Sequence, residues 1–246
     1  MERTNENSVS LNKYISSTGI CSRREADKMI ADGRVTINGQ PAQLGNRVFE
    51  GDEVHIDGQP LKARPRTLYI AFNKPVGIVC TTDSKEKKNI IRYIGHPQRL
   101  FPIGRLDKPS EGLIFLTNDG DIVNKILRAG NQHEKEYIVT VKQPITLEFI
   151  QKMGAGVPIL DTVTKKCQVE PINAHTFRII LIQGLNRQIR RMCQYLGYDV
   201  SKLKRVRIMN VKLGNLKTGQ WRELTPAEIE KIQKMVADSS KTAPEP

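Results

Sequence analysis

The chain has 246 residues, of which 38% are hydrophobic, and its formal net charge is +13 at pH 7. That length accommodates one sizeable domain and a small one, with enough apolar residues for a packed core. No apolar run approaches membrane-spanning length, and the polar first residues are not those of a secretory signal, so we expect a cytoplasmic protein.

The positive charge is concentrated in two segments. Residues 62–108 contain eleven Lys and Arg against three Asp and Glu, and residues 184–212 contain eight against one. The rest of the chain is therefore close to neutral. Such clustering favours a phosphate backbone as the partner over a generally solvated basic surface.

The cysteines give no sign of a disulfide framework or a metal site. Cys21, Cys80, Cys167 and Cys193 are scattered along the chain without a Cys-x-x-Cys pair, which suits a reducing compartment. The sequence also lacks a glycine-rich phosphate-binding motif and a cluster of Cys and His ligands. Nothing in it indicates a metal or an organic cofactor.

The first sixty residues predict two short helices followed by short strands. Residues 1–9 are expected to be a disordered lead-in. The first helix ends at Gly19, and Ser22 with Glu25 forms the capping box of the second. Asn38-Gly39 is typical of a hairpin turn between strands.

This arrangement resembles the S4-type RNA-binding domain, and the resemblance spans residues 10–61. It rests on the segments L-N-K-Y-I, S-R-R-E-A and Gly51-Asp52. The family usually opens with Arg where this chain has Ser10, so one phosphate contact is expected either to be missing or to be supplied by Lys13. Arg23 and Arg24 lie in a first helical turn, where the helix dipole disfavours cations, and they are expected to bind phosphate. The alternative is a small packing module without a ligand.

A proline-containing, basic segment over residues 62–67 predicts a linker. The second domain begins with a strand over residues 68–73 and the turn K-P-V-G. Further along, Asp107 lies between Arg105 and Lys108 in a Gly- and Pro-bounded loop, ahead of an apolar strand. Neighbouring cations favour an ionised carboxylate, which can act as a nucleophile. By itself, an Asp in such a loop is more often a turn residue.

The string G-R-L-D-x-x-x-x-G-L-I-F-L-T-N resembles the catalytic motif of pseudouridine synthases, in the branch that modifies ribosomal RNA. The K-P-x-G turn also matches that family. The resemblance implies that Asp107 is the catalytic nucleophile and that no cofactor is used. It also implies an α+β fold, with a catalytic domain over residues 68–232 built on a mainly antiparallel sheet with flanking helices. Residues 233–246 are expected to form a flexible tail.

Two further catalytic residues follow from the same resemblance. Tyr137 begins a strand, where a tyrosine is more often a core residue, but its family position places it in the active site. There its ring can stack on a base taken out of the RNA. The block N-R-Q-I-R-R-M resembles the family's third motif, and its basic residue, Arg190, is expected to pair with Asp107. Asn186 is predicted to cap this helix, whose apolar stripe includes Ile189 and Met192.

The remaining predicted RNA contacts lie beside these residues in sequence: Arg105, Leu106, Lys108, Arg187, Gln188 and Ile189. Stretches such as H-E-K-E-Y and V-T-K-K-C are typical of one member that modifies large-subunit (23S) rRNA, with a tRNA anticodon as a second expected substrate. We expect a monomer. The competing interpretations are a non-catalytic RNA-binding or ribosome-assembly factor and a nuclease. A nuclease is disfavoured, because metal-assisted phosphodiester cleavage uses clustered carboxylates.

Overall fold

The computed structural model describes residues 7–127 and 133–237. The chain divides into two compact units. The N-terminal unit comprises Met1–Thr67 together with Pro97–Arg99, and the C-terminal unit comprises Leu68–His96 and Leu100–Pro246. The predicted linker, residues 62–67, has neither helix nor strand.

The N-terminal unit contains two helices and two small antiparallel sheets. One sheet pairs β1 with β4, and the other has the order β3-β2-β5-β6. The elements are β1 (Ser8–Ser10), α1 (Leu11–Ser17), α2 (Arg23–Ala31), β2 (Val35–Ile37), β3 (Gln40–Pro41), β4 (Arg47–Phe49), β5 (Val54–Ile56) and β6 (Gln59–Pro60).

Local sequence signals account for this unit. The predicted capping box is present: the Glu25 amide donates to Ser22 Oγ at 3.2 Å and the Ser22 amide to Glu25 Oε2 at 2.6 Å. Asn38 and Gly39 both have positive φ angles, 51° and 78°, as a type I′ hairpin turn requires. The lead-in prediction is wrong at its end, because Ser8–Ser10 pairs with β4.

The C-terminal unit is built on a nine-stranded sheet. Seven strands follow the order β13-β14-β10-β15-β9-β7-β17, with β16 paired to β15 and β8 to β9. Its strands are β7 (Tyr69–Lys74), β8 (Phe101–Ile103), β9 (Glu111–Thr117), β10 (Lys135–Val141), β13 (Gln168–Asn173), β14 (Thr176–Leu181), β15 (Val200–Ile208), β16 (Val211–Lys212) and β17 (Trp221–Glu223). A separate hairpin pairs β11 (Pro158–Ile159) with β12 (Thr162–Val163).

The sheet is antiparallel except where β15 pairs in parallel with β9. The described part of this unit has five helices: α3 (Ile90–Ile94), α4 (Gly120–Leu127), α5 (Leu147–Ala155), α6 (Gln188–Tyr195) and α7 (Pro226–Ala237). Apolar side chains on β9 and on the predicted stripe of α6 are buried, among them Leu113, Phe115, Ile189 and Met192. The predicted α+β architecture is confirmed.

The sequence prediction places the start of the flexible tail, at residue 233, too early in the chain. Helix α7 continues to Ala237, and Val236 is buried in the same core as Ile232. An apolar residue four positions after another on one helix face extends the packed stripe, so the helix persists through this part of the predicted tail. Residues 238–246 lie outside the described residues.

Candidate active site

A pocket of about 460 Å³ opens in the C-terminal unit, and most of the predicted site residues of that unit line it. Five cationic side chains contribute to its wall, but among its lining residues Asp107 is the sole carboxylate. The predicted residues that line the pocket are Arg105, Leu106, Asp107, Tyr137, Arg187, Gln188, Ile189 and Arg190. Lys108 is exposed on the same loop but is not part of the wall.

The loop that carries Asp107 connects β8 to β9 and is anchored on both sides. The Leu106 amide donates to Cys80 Sγ at 3.4 Å, and the Gly77 amide donates to the Lys108 carbonyl at 2.7 Å. The Ser110 amide closes a turn onto the Asp107 carbonyl at 2.9 Å. Asp107 itself is half-buried, so its carboxylate is held at the pocket wall while remaining accessible.

The K-P-V-G turn supports this loop from beneath. Lys74 is fully buried, and its ammonium donates to the carbonyls of Pro75 and Ile78, each at 2.9 Å. Burial lowers the pKa of Lys74, while the charges of Cys80 and Asp107 act in the opposite direction. The buried cation therefore both closes the turn and adds positive potential near the carboxylate.

Arg190 reaches the same loop but does not pair directly with Asp107, contrary to the sequence prediction. Its Nη2 donates to the Pro109 carbonyl at 3.2 Å and to Ser110 Oγ at 3.0 Å. Among the described residues, no hydrogen bond or ion pair joins the two side chains, and the buried Nε has no partner. Burial lowers the pKa of Arg190 and the nearby Asp107 charge opposes that shift. The guanidinium thus fixes the loop and acts on the carboxylate over a short distance.

Tyr137 lies in β10, opposite Arg205 of β15, because a register shift between Glu136 and Tyr137 brings this pair into line. The two side chains share one face of the sheet. Arg205 Nη1 donates to the Tyr137 hydroxyl at 3.5 Å, and its guanidinium carbon lies 5.9 Å from the ring centroid. Tyr137 thereby presents its ring and hydroxyl to the pocket with a cation against it.

Sequence reasoning missed Arg205 and Lys135, which both line the pocket. Arg205 belongs to the basic segment 184–212, which was expected to form a charged surface, yet this residue is only 4% exposed. Burial and the charge of Arg205 lower the pKa of Lys135 to about 8. A signal was present in the sequence, since charged residues inside strands of a packed sheet are unusual.

Three of the predicted RNA-contact residues are mostly buried and form the pocket wall. Leu106 and Ile189 belong to the hydrophobic clusters beneath it. Gln188 was expected to contact the RNA backbone, but it is buried and its amide is engaged within the protein. Gln188 Oε1 accepts from the Leu185 amide, and its Nε2 donates to Gln183 Oε1 at 3.3 Å.

Arg187 is the pocket residue with unusual backbone geometry. It precedes α6 with φ +48°, in the left-handed region. A side chain other than Gly is seldom found there, and such strain clusters at functional sites. Its side chain is exposed, so it remains available to a ligand. The predicted capping role of Asn186 is wrong, because its carbonyl and side-chain oxygens accept from Arg191.

The N-terminal unit holds the other predicted RNA contacts. Arg23 and Arg24 are exposed at the start of α2, and Lys13 is half-buried in α1. Within residues 7–127 and 133–237, no group of three His, Cys, Asp or Glu side chains is arranged to hold a metal ion. The helices described there are also too short or too polar to cross a membrane.

Two family models match the chain. The RNA pseudouridylate synthase model covers residues 68–195, and the S4 domain model covers residues 9–62. The matched ranges contain Asp107, Tyr137 and Arg190 in the first case and the helices α1 and α2 in the second. The chain belongs to the RNA pseudouridylate synthase family and carries an N-terminal S4 domain.

Similar proteins agree with this assignment and make the chain an RNA pseudouridine synthase. It is 58% identical over 240 residues to the dual-specificity RNA pseudouridine synthase RluF of Salmonella typhi. The aligned region covers 97% of this chain and 83% of that relative. It is 33% identical over 242 residues to the ribosomal large subunit pseudouridine synthase B of Bacillus subtilis, covering 95% and 98%. A crystal structure of a pseudouridylate synthase superposes with a TM-score of 0.67 at 30% identity, covering 91% of this chain and 99% of that one.

Proposed function

We propose that this enzyme converts a chosen uridine of large-subunit ribosomal RNA to pseudouridine, with Asp107 as the nucleophile. One observation carries the assignment of Asp107: it is the sole carboxylate among the residues lining a pocket that five cations also line. An ionised carboxylate is the form that attacks. The anchored loop holds it ready for reaction.

The target base reaches Asp107 by leaving the RNA stack, because chemistry on a stacked nucleotide is sterically blocked. Tyr137 then stacks on the base with its ring, and its hydroxyl is available to hydrogen-bond or to move a proton. Arg190 fixes the Asp107 loop through Pro109 and Ser110. The reaction detaches the base from its sugar, turns it and rejoins it through carbon, so substrate and product have the same composition.

RNA binding is distributed between exposed cations of both units. Arg105 and Arg187 line the pocket, and Lys108 is exposed on the loop of Asp107, which supports contacts of these side chains with phosphates next to the extruded nucleotide. In the S4 domain, Arg23 and Arg24 occupy the first turn of α2, where unneutralised cations are unfavourable. Phosphate binding by this pair, with Lys13 nearby in sequence, compensates for that local cost.

The relatives guide the choice of RNA. One is named a large-subunit enzyme and another is named dual-specificity. We propose large-subunit rRNA as the main substrate and a tRNA anticodon as the second one. Both would be modified in the cytoplasm by a monomer, and sedimentation of the pure protein tests the monomeric state.

The deciding experiment compares Asp107→Asn with wild type on unmodified large-subunit rRNA and tRNA transcripts. Pseudouridine is mapped at single-nucleotide resolution, and RNA affinity is measured in parallel. We expect product formation by Asp107→Asn to be undetectable while its affinity stays within about threefold, because one uncharged amide replaces one pocket carboxylate. Asp161→Asn is the matched control, since Asp161 is exposed on the turn between β11 and β12.

Retained turnover by Asp107→Asn would remove Asp107 from the nucleophile role. If the wild-type protein bound both RNAs but modified neither, the rRNA and tRNA assignments would be wrong. Strand breaks that disappear with a chelator would point instead to nuclease chemistry.

A further inference from the structure

Arg205 carries an unsatisfied charged donor beside the pocket. Its Nε donates to the Leu113 carbonyl at 2.6 Å, and its Nη1 makes the longer contact to the Tyr137 hydroxyl. Its Nη2 is buried and, among the described residues, has no hydrogen-bond partner. Arg205 is 4% exposed but lines the pocket, so the missing acceptor has to come from a molecule that enters the pocket.

An unpaired donor of this kind is costly. Burying a charged group without its hydrogen bonds destabilises a fold by more than leaving a neutral group unpaired. Lys135 adds a second, half-buried cation in the same wall, and among the described residues its ammonium makes one hydrogen bond, to the His133 carbonyl at 3.5 Å. The two neighbouring cations repel one another, and a ligand with negative charge or acceptor oxygens would relieve that repulsion and complete the hydrogen bonds of Arg205.

The chemistry of the proposed reaction supplies such a ligand. When the bond between the ribose C1′ and the uracil N1 breaks, its electron pair stays with N1. The negative charge then spreads over N1 and the two carbonyl oxygens of the base. Donors aimed at an atom that gains charge during reaction are among the largest contributions to catalysis, especially in a site that excludes water.

We infer that Arg205 Nη2, with the Lys135 ammonium, hydrogen-bonds a carbonyl oxygen of the target uracil and stabilises the negative charge on the detached base. This inference rests on the proposed function. It makes Arg205 and Lys135 catalytic residues that act on the leaving base, whereas Asp107 acts on the ribose.

The electron and proton balance is closed without a cofactor. The Asp107 carboxylate forms a bond to C1′ as the C1′–N1 bond breaks. After the base turns, the ring electrons at C5 form the new bond to C1′, and the Asp107–C1′ bond breaks and returns the free carboxylate. The C5 proton then leaves to a base, and N1 takes up one proton. Arg205 and Lys135 act only as hydrogen-bond donors and exchange no proton with the substrate.

A phosphate is the competing ligand for these donors. Exposed cations at the pocket mouth, Arg105 and Arg187, already suit a hydrated phosphate. Arg205, in contrast, is buried and lies against the ring of Tyr137, which is the surface proposed to stack on the base. A planar carbonyl next to that ring matches this position better than a phosphate does.

The test combines a protein change with a base change in a synthetic rRNA fragment that contains the mapped target uridine. A second fragment carries 5-fluorouridine at that position, where fluorine withdraws electrons and stabilises the detached base by itself. Single-turnover consumption of the target nucleotide and the dissociation constant of the RNA are measured for wild type, Arg205→Met and Arg205→Lys.

For uridine, Arg205→Met is expected to react about 100-fold more slowly, as when one charge-stabilising donor is removed, with affinity within about threefold. For 5-fluorouridine the rate difference between Arg205→Met and wild type should be at least about tenfold smaller, because the fluorine already stabilises the negative charge on the detached base. Arg205→Lys should recover part of the rate.

Equal defects on the two fragments would overturn the inference. So would a loss of affinity accompanied by a salt dependence reduced by about one phosphate contact, which would assign Arg205 to the RNA backbone. Should Arg205→Met fail to fold, Lys135→Met decides by the same comparison of uridine with 5-fluorouridine. If wild type consumes the target in neither fragment, the proposed function has failed, which is a separate result.

Discussion

Gly112 offers a quantitative test of how the central sheet is closed. It lies in β9 at φ +109°, directly opposite Arg205 in the parallel pair of strands. A Cβ at this position would lie 2.2 Å from the Arg205 carbonyl oxygen and 2.7 Å from its amide nitrogen. Both are backbone atoms, so a small side-chain adjustment cannot relieve the clash, and the two strands must separate locally.

Gly112→Ala should therefore combine two penalties. A positive φ costs an ordinary residue about 1–2 kcal/mol, and overpacking costs about 1–3 kcal/mol. We expect the free energy of unfolding to fall by about 2–5 kcal/mol in urea denaturation. The chain has one tryptophan, Trp221 in β17, whose strand pairs with β7 of the same sheet, so its fluorescence reports unfolding of this unit.

Gly77→Ala is the matched control for this experiment. Its φ is +92°, similar to that of Gly112, but a Cβ there would have no atom within 4 Å. It should carry only the backbone penalty of about 1–2 kcal/mol. Equal losses of stability in the two variants would refute the close-approach argument. Gly112→Ala should also lower turnover more, because its clash displaces Arg205.

Three further predictions concern the charged residues. Arg190→Ala should reduce turnover at least about 100-fold, because Arg190 fixes the Asp107 loop. Its RNA affinity should change by less than about threefold. A loss of affinity with unchanged turnover would contradict this role. The single-turnover rate should fall as pH rises through about 8, where Lys135 loses its proton. In Arg205→Met this fall should move to higher pH, because the charge repulsion between Arg205 and Lys135 is gone. A wild-type rate that is flat from pH 7 to pH 9 would argue against a role for protonated Lys135. Burial acts to raise the pKa of Glu136, but hydrogen bonds from Arg207 and Arg178 together lower it. The stabilisation that ionised Glu136 gives the fold is therefore complete above its ordinary pKa, about 4.3, and is lost as pH falls below that value. Glu136→Gln should flatten the acid side of the curve of unfolding free energy against pH, measured by urea denaturation between about pH 3 and pH 6.

Local patterns in the sequence were sufficient for the elements whose causes are local. The capping box of Ser22 and Glu25, the Asn38-Gly39 turn and the buried stripe of α6 all depend on residues a few positions apart, and all are present. The family motif predicted Asp107 as a site residue for the same reason: the Gly and Pro residues that shape its loop lie within a few positions of it in sequence.

The errors and omissions have long-range causes. Asn186 does not cap α6, because Arg191 occupies its oxygens and Arg187 takes the cap position. Arg205 Nε donates to the carbonyl of Leu113, which is 92 residues away in sequence. Within β15, Arg205 is buried whereas Lys204 and Arg207 are half-buried, so the unusual charge inside a strand marks the segment but does not show which of these cations lines the pocket.

The parallel contact between β9 and β15 also determines when activity can arise during synthesis. Asp107 emerges early, but the strand that completes its surroundings is made almost one hundred residues later. Contacts of such wide sequence separation form slowly, because a long loop must close first. The S4 domain, within residues 9–62, is synthesised long before β15, so a growing chain contains its complete S4 domain while it still lacks the strand that completes the pocket.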